Sequence, residues 1–247
     1  MLVWLARAQT QNNCFVIWLV TAPVAPFFGG GSIFNTISIA YSTSMFNYPT
    51  IFATLPPMNE QQKQQYQAHL DLVVKYGKHF NLTTILDPAH MWTHHVCDSI
   101  AIAPFLEGEV FVDMGTGAGF PGIPLAITLP EKQFILVDSN QKKIHFLKMV
   151  AAELGLNNVQ AIHSRVEDVD LEAPVDGIIS RAVGNMANMC TQSNDLLKPN
   201  GHYYWMKGQY PTEELSKLSL PFAVQPLTIP ELKGVERHLV IVSNQVA

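Results

Sequence analysis

Cysteine is scarce in this chain: Cys14, Cys97 and Cys190 are far apart and odd in number. That argues against a disulfide framework and suits a reducing, cytoplasmic compartment. Charge is also sparse, at 14% of residues, and the net charge is −5. Overall charge therefore does not advertise nucleic-acid binding, and any such contact has to come from a local patch. Long apolar runs are missing. The longest, Cys14 to Phe28, is interrupted by Thr21, Pro23 and Pro26, whereas a bilayer-spanning helix needs about 20 apolar residues. No membrane association is expected. The start also lacks the basic cluster and small-residue cleavage site of a signal peptide.

Charge is missing above all from residues 1–57, where Arg7 is the single ionised side chain. That break marks a boundary. Residues 1–57 read as an apolar, charge-poor extension, disordered or translated upstream of the true start, with Met45 and Met58 both plausible starts. Residues 58–108 read as a small helical cap. Residues 109–247 read as an α/β domain. Asn59 with Gln62 has capping-box spacing, and Tyr66, Leu70, Val73 and Val74 follow as one apolar helical face. Asp87-Pro88 opens a second helix running to about Ala103.

From Glu109 strands and helices alternate. Strands are predicted near 110–113, 133–138, 158–163, 176–180, 202–206, 221–228 and 237–243. Helices are predicted near 121–129, 141–154, 186–197 and 211–218. The pattern gives an open, mostly parallel sheet with helices on both faces. No helix separates the last two strands, so one of them is expected to be antiparallel.

The chemistry concentrates in Val110 to Gly122, V-F-V-D-M-G-T-G-A-G-F-P-G. A strand ends at Asp113, glycines follow at 115, 117 and 119, and a helix opens near Pro121. A second strand then ends in another acid, Asp138. Such a unit binds a nucleoside cofactor, with glycines allowing close approach and the distal acid accepting from ribose hydroxyls. Two frames compete. Gly117-x-Gly119-x-x-Gly122 fits the dinucleotide fingerprint. Asp113-x-Gly115-x-Gly117-x-Gly119 fits S-adenosylmethionine, with Asp113 placed near the cofactor's ammonium end and Pro121 and Pro124 widening the turn. The second frame is preferred, because no hydride-transfer constellation follows in a second domain.

With these residues in view, the chain resembles the RsmG (GidB) family of 16S rRNA guanine-N7 methyltransferases. The resemblance rests on His95-Val96-Cys97-Asp98-Ser99, Val112-Asp113-Met114-Gly115-Thr116-Gly117, Phe120-Pro121-Gly122, Leu136-Val137-Asp138-Ser139, Ser164-Arg165-Val166-Glu167, Ser180-Arg181-Ala182, Lys207-Gly208 and Glu236-Arg237-His238-Leu239-Val240. Asn81-Leu82-Thr83 precedes them, and together they cover nearly all of 58–247 in family order. The resemblance implies a Rossmann-like class I methyltransferase sheet with a helical N-terminal cap. It implies action on 16S rRNA, in the 30S subunit or its precursor, to form 7-methylguanosine near the decoding site; a monomer is expected. Gly115, Phe120, Val166, Glu167 and Arg181 would then touch the cofactor, alongside Asp113, Gly117 and Asp138. A small-molecule or protein methyltransferase, or a non-catalytic nucleoside-binding regulator, are the rival readings on the same fold.

Arg181 and Lys207 stand at strand ends, where open α/β sheets bind ligands, and are the candidate catalytic residues. Alternative roles are an ion pair of Arg181 with Asp176 or Glu167, and an ordinary solvated Lys207. Guanine N7 carries a free lone pair, so alignment can replace a general base. The sequence lacks the [Asn/Asp]-Pro-Pro-aromatic loop common in enzymes acting on exocyclic amines. Cys97 and Cys190 read as buried filler rather than nucleophiles. His94, His95, Cys97 and Asp98 have ligand-type side chains, but no second cluster with zinc spacing accompanies them. They read as a hydrogen-bonding network beside the cleft, with no metal. A restricted basic rim around the cleft is expected to meet RNA, from Lys142, Lys143 and Lys148 on one helix with Arg165, Arg181 and Lys207 at strand ends.

Overall fold

The computed structural model describes residues 57–244 other than 81, 84, 86 and 182–184, together with two strands nearer the start. The chain divides into two units, Met1–Met45 and Phe46–Ala247. In the first, β1 (Trp4–Gln9) pairs antiparallel with β2 (Phe15–Val20).

The second unit opens with α1 (Glu60–Phe80). Its start is a reciprocal capping box: Asn59 N–H donates to Gln62 Oε1 (3.0 Å), and Gln62 N–H donates to Asn59 Oδ1 (2.8 Å). Tyr66, Leu70 and Val73 are buried on the inner face, but Val74 is 41% exposed. One residue is 100° of helical turn, enough to carry Val74 off the apolar stripe. Three side chains on that face fasten the helix to the sheet domain. Gln62 donates to the Ile127 carbonyl (2.9 Å), Gln65 to the Leu154 carbonyl (2.9 Å), and the Tyr66 and Thr128 hydroxyls pair at 2.7 Å.

Asp87 caps α2 (Pro88–Met91) by accepting from His90 N–H. The path then departs from the expected uniform helix. A π turn spans Trp92–Cys97 before α3 (Asp98–Ile100). The widened register leaves His95, Val96, Cys97 and Asp98 all buried.

The remaining elements are β3 (Val110–Met114), α4 (Gly122–Thr128), β4 (Gln133–Asp138), α5 (Gln141–Glu153), β5 (Val159–His163), β6 (Val175–Arg181), α6 (Met186–Gln192), β7 (Leu197–Lys207), α7 (Thr212–Leu215), β8 (Phe222–Pro226) and β9 (His238–Ser243). The predicted helices near 186–197 and 211–218 are shorter, at seven and four residues. Seven strands form one sheet in the order β5-β4-β3-β6-β7-β9-β8. β3 to β7 pair parallel, and β9 runs antiparallel between β7 and β8. The antiparallel strand is therefore the last.

Side chains alternate across the sheet, as the pleat requires. Phe111, Ile179, Tyr204 and Ile241 join the core under α1, α4 and α5, while Val112, Ile178, Trp205 and Val242 join the core with Met186 and Cys190 of α6. Both faces are covered, which explains why the central strands read as continuous apolar runs. Among the described residues no helix is long and apolar enough to cross a membrane.

Candidate active site at the carboxyl edge of the sheet

The five parallel strands end on one edge, and the order reverses at β3, whose neighbours are β4 and β6. Open α/β sheets bind ligands at such a switch point. The glycine loop leaves β3 there. Gly115 and Thr116 N–H both donate to the Val137 carbonyl (2.8 and 3.1 Å), tying the loop to β4. Gly115 and Gly117 have φ of +71° and +62°, where a side chain is strained. At Gly115 an added Cβ would meet nothing within 4 Å, and at Gly117 only the Gly115 carbonyl at 3.9 Å. Backbone thus borders open space at both positions. Gly119 differs, since a Cβ there would fall 2.6 Å from Ile123 Cγ1 and 2.9 Å from Leu147 Cδ2. It is a packing glycine.

Two acids brace this cradle. Asp138 Oδ2 accepts from Gly117 N–H (3.0 Å) and Oδ1 from Asn140 N–H (2.8 Å), with Lys143 Nζ 3.5 Å away. Each oxygen keeps a second lone pair. Asp113 is fully buried and its Oδ2 accepts from Gly122 N–H (2.9 Å). Its Oδ1 and the buried Thr116 hydroxyl have no hydrogen-bond partner. Burial pushes the Asp113 carboxyl up to about 6, against the pull of the nearby Thr116 hydroxyl, the Gly122 amide and Arg181.

Phe120, near the end of the loop, is 4% exposed and touches three groups. The His69 and His95 rings lie 4.7 and 4.6 Å from its centroid at 34° and 28°, and the Arg181 guanidinium is 5.5 Å from it. His69 Nε2 donates to the Ala118 carbonyl (2.9 Å), which fixes that tautomer and leaves Nδ1 buried without a partner. His95 Nε2 pairs with the Thr83 hydroxyl (3.0 Å). Burial lowers both histidines to about 4, and the Arg181 charge adds to the effect at His95. Both are neutral at physiological pH. Of the four residues His94, His95, Cys97 and Asp98, His94 also bonds through Nδ1, to the Thr93 hydroxyl (2.9 Å). Among the described residues no three His, Cys, Asp or Glu side chains group as a metal site.

Arg181 ends β6 and is bound by neither Asp176 nor Glu167. Asp176 takes Lys198 (2.8 Å) and the Glu109 and Val110 N–H groups; Glu167 lies 3.6 Å from Arg165. Arg181 Nη1 instead donates to the His94 carbonyl (3.2 Å) and Asp98 Oδ2 (3.4 Å). Asp98 Oδ1 accepts from Arg237 Nε (2.7 Å). Lys207, at the end of β7, is not a solvated lysine: its side chain is 10% exposed and Nζ contacts both Glu214 oxygens (2.9 and 2.8 Å). Val166 and Glu167 lie in a 3₁₀ turn beyond β5, on the same edge. Cys97 and Cys190 are buried, and burial raises their thiols to about 12 and about 11. Neither is an available thiolate.

The edge thus brings together Asp113, Gly115, Gly117, Phe120, Asp138 and Arg181. Asp98, Arg237, His69 and Glu214 were not predicted as site residues. Asp98 and Arg237 had a sequence signal, as each lies in a motif segment. His69 had none, because it sits among the buried positions of an amphipathic helix. Asn81 and 182–184, within two further motif segments, lie outside the described residues.

The family model described as rRNA small subunit methyltransferase G matches residues 62–240. The ribosomal RNA small subunit methyltransferase G of Salmonella arizonae is 44% identical over 193 residues, covering 76% of this chain and 93% of that protein. The protein of the same name from Pasteurella multocida is 45% identical over 188 residues, covering 75% and 89%. Among solved structures, a SAM-dependent O-methyltransferase from Thermotoga maritima aligns with a TM-score of 0.49 at 18% identity, covering 71% of this chain and 72% of that one. By the extent of the family match and the identity to these relatives, the chain belongs to the rRNA small subunit methyltransferase G family.

Proposed function

We propose that this protein methylates N7 of one guanine in 16S rRNA, near the ribosomal decoding site, with S-adenosylmethionine as donor. The observation that carries the reading is the cradle: open space over Gly115 and Gly117, braced by Asp113 and Asp138 and adjoined by Phe120 and Arg181. The donor set fits this cofactor. Asp138 has lone pairs left for ribose hydroxyls. Asp113 Oδ1 is a buried acceptor without a partner and would face the cofactor's ammonium. Val166 and Glu167 would border the adenine. Arg181 offers a guanidinium to the cofactor carboxylate or to guanine O6.

When bound, S-adenosylmethionine supplies an electrophilic methyl group on a sulfonium sulfur. The guanine N7 lone pair would accept that methyl, and the carbon–sulfur electron pair would stay with sulfur. No proton has to move, so the protein's work is alignment and charge placement. N7 must stay free of hydrogen-bond donors, which confines Arg181 to O6 or the carboxylate. Lys207, bound by Glu214, stands at the end of the strand beside β6 and would meet the base or a phosphate.

Mass spectrometry of 16S rRNA from cells with and without the gene tests the reading. The expected result is loss of one 7-methylguanosine. An unchanged modification profile, or cofactor binding with no transfer to rRNA, would overturn it. With purified protein, Arg181→Ala should lower kcat/KM by roughly 100-fold while the fold persists, a loss of about 3 kcal/mol.

A further inference from the structure

Asp98 joins three segments that are far apart in sequence. It opens α3, directly after the π turn. One oxygen meets Arg181, 83 residues away on β6, and the other meets Arg237, 139 residues away and just before β9. The Asp98 side chain is 5% exposed, against 21% for Arg181 and 20% for Arg237.

Two features exceed what stability alone requires. First, one arginine would neutralise the carboxylate, yet two share it, an arrangement with a desolvation cost, and the Asp113 carboxyl acts on Arg181 as well. Second, the bonds are one-sided. Asp98 and the His94 carbonyl both engage Nη1 of Arg181, while the Phe120 ring lies 5.5 Å from the guanidinium carbon. Among the described residues nothing accepts from Arg181 Nε or Nη2. The guanidinium is planar, so fixing Nη1 also restricts the direction of those remaining donors. They form the fork that grips a carboxylate, or a base oxygen, in a bidentate way.

We propose that Asp98 is a positioning residue for methyl transfer: its carboxylate holds Arg181 and Arg237 in one clamp and thereby aims the free donors of Arg181 at the ligand. The proposal rests on the function argued above. Asp98 acts through Arg181 and touches no reacting atom. The π turn contributes by carrying the His94 carbonyl and the Asp98 carboxylate to the same guanidinium nitrogen.

A double-mutant cycle on the full-length protein tests this. Asp98→Asn keeps the side-chain shape and removes the charge. It should lower kcat on 30S subunits at least tenfold, or weaken S-adenosylmethionine binding to a similar degree by calorimetry. The decisive reading is the combination with Arg181→Ala: the double variant should fall within twofold of Arg181→Ala alone, since the effect of Asp98 passes through that arginine. A merely structural role would multiply the two losses. Multiplied losses overturn the proposal, as does Asp98→Asn with kcat and cofactor affinity both within twofold of wild type. Should Asp98→Asn fail to fold, Asp98→Glu keeps the charge and moves the guanidinium outward. It should fold and still lose turnover or cofactor affinity at least tenfold, and retention of both overturns the proposal. The wild-type arm separates the two readings. Absence of 16S rRNA methylation there rejects the function, while the cofactor-affinity cycle still decides the role of Asp98.

Discussion

Asp113 is a carboxyl in a fully buried position with one oxygen unpartnered. A buried anion is costly, and the carboxyl responds by holding its proton up to about pH 6. The sign follows from linkage. The folded-state pKa lies above the unfolded value of 3.8, so this group's contribution to stability is complete below that value and is lost as pH rises through 6. Asp113→Asn should therefore stabilise the ligand-free protein at pH 8, by up to roughly 3 kcal/mol for a shift of about two units. The gain should shrink towards pH 4. Thermal melts at the two pH values would check it, and equal gains at both would refute the assignment. Calorimetry should show weaker S-adenosylmethionine binding by the same variant if Asp113 faces the ammonium. The sequence shows this acid two residues before the glycines. It could not disclose that the acid is dry, because burial depends on α4 lying across it.

At the scale of elements, the loop from β3 to α4 separates two kinds of glycine. Gly115→Ala puts a Cβ into open space at φ +71°, so the cost to the fold is backbone strain of about 1–2 kcal/mol. That lowers Tm by roughly 2–8 °C in a domain of this size. The same Cβ projects into the cradle, and cofactor affinity should fall at least tenfold. Gly119→Ala adds collision with Ile123 and Leu147 to the same kind of strain. It should cost roughly 3 kcal/mol or more, with most of the damage read in the melt. The two variants would be compared by melting and calorimetry. If Gly115→Ala bound the cofactor normally, the cradle assignment would fail. In sequence these glycines are indistinguishable, and only their surroundings tell them apart. Helix α1 makes a related point. Its capping box was legible because Asn59 and Gln62 are three residues apart, a local relation. The outward turn of Val74 was not, because it depends on which face the sheet domain covers.

The whole molecule carries net negative charge, so RNA binding has to come from local placement. Lys142, Lys143 and Lys148 share α5, and Arg165 follows β5. If four such cations each meet a phosphate, affinity should fall on the order of 50-fold between 50 and 200 mM salt. Fluorescence anisotropy with a 16S rRNA fragment would measure it, and a flat response would remove the basic rim. The family match begins at residue 62, the second residue of the capping box. Deleting residues 1–44 should therefore leave methyl transfer within twofold of the full chain, measured by methyl incorporation into 30S subunits. Loss of soluble, active protein would assign a role to the extension.

Relations between neighbours along the chain were legible in the residues alone. Alternation of apolar runs set the order of strands and helices, glycine spacing set the loop, and acids marked the ends of two strands. The sequence also carried the family, because the motif segments keep their order from 58 to 247. The tertiary structure alone decided the partners across long separations. Asp98, not Asp176 or Glu167, meets Arg181; Glu214 closes on Lys207; His69 and His95 press on Phe120. The reason is geometric. Local patterns specify which way a side chain faces on its own element. Which charges meet is fixed only when the strand order and the docking of the cap helices bring residues 98, 181 and 237 to one place.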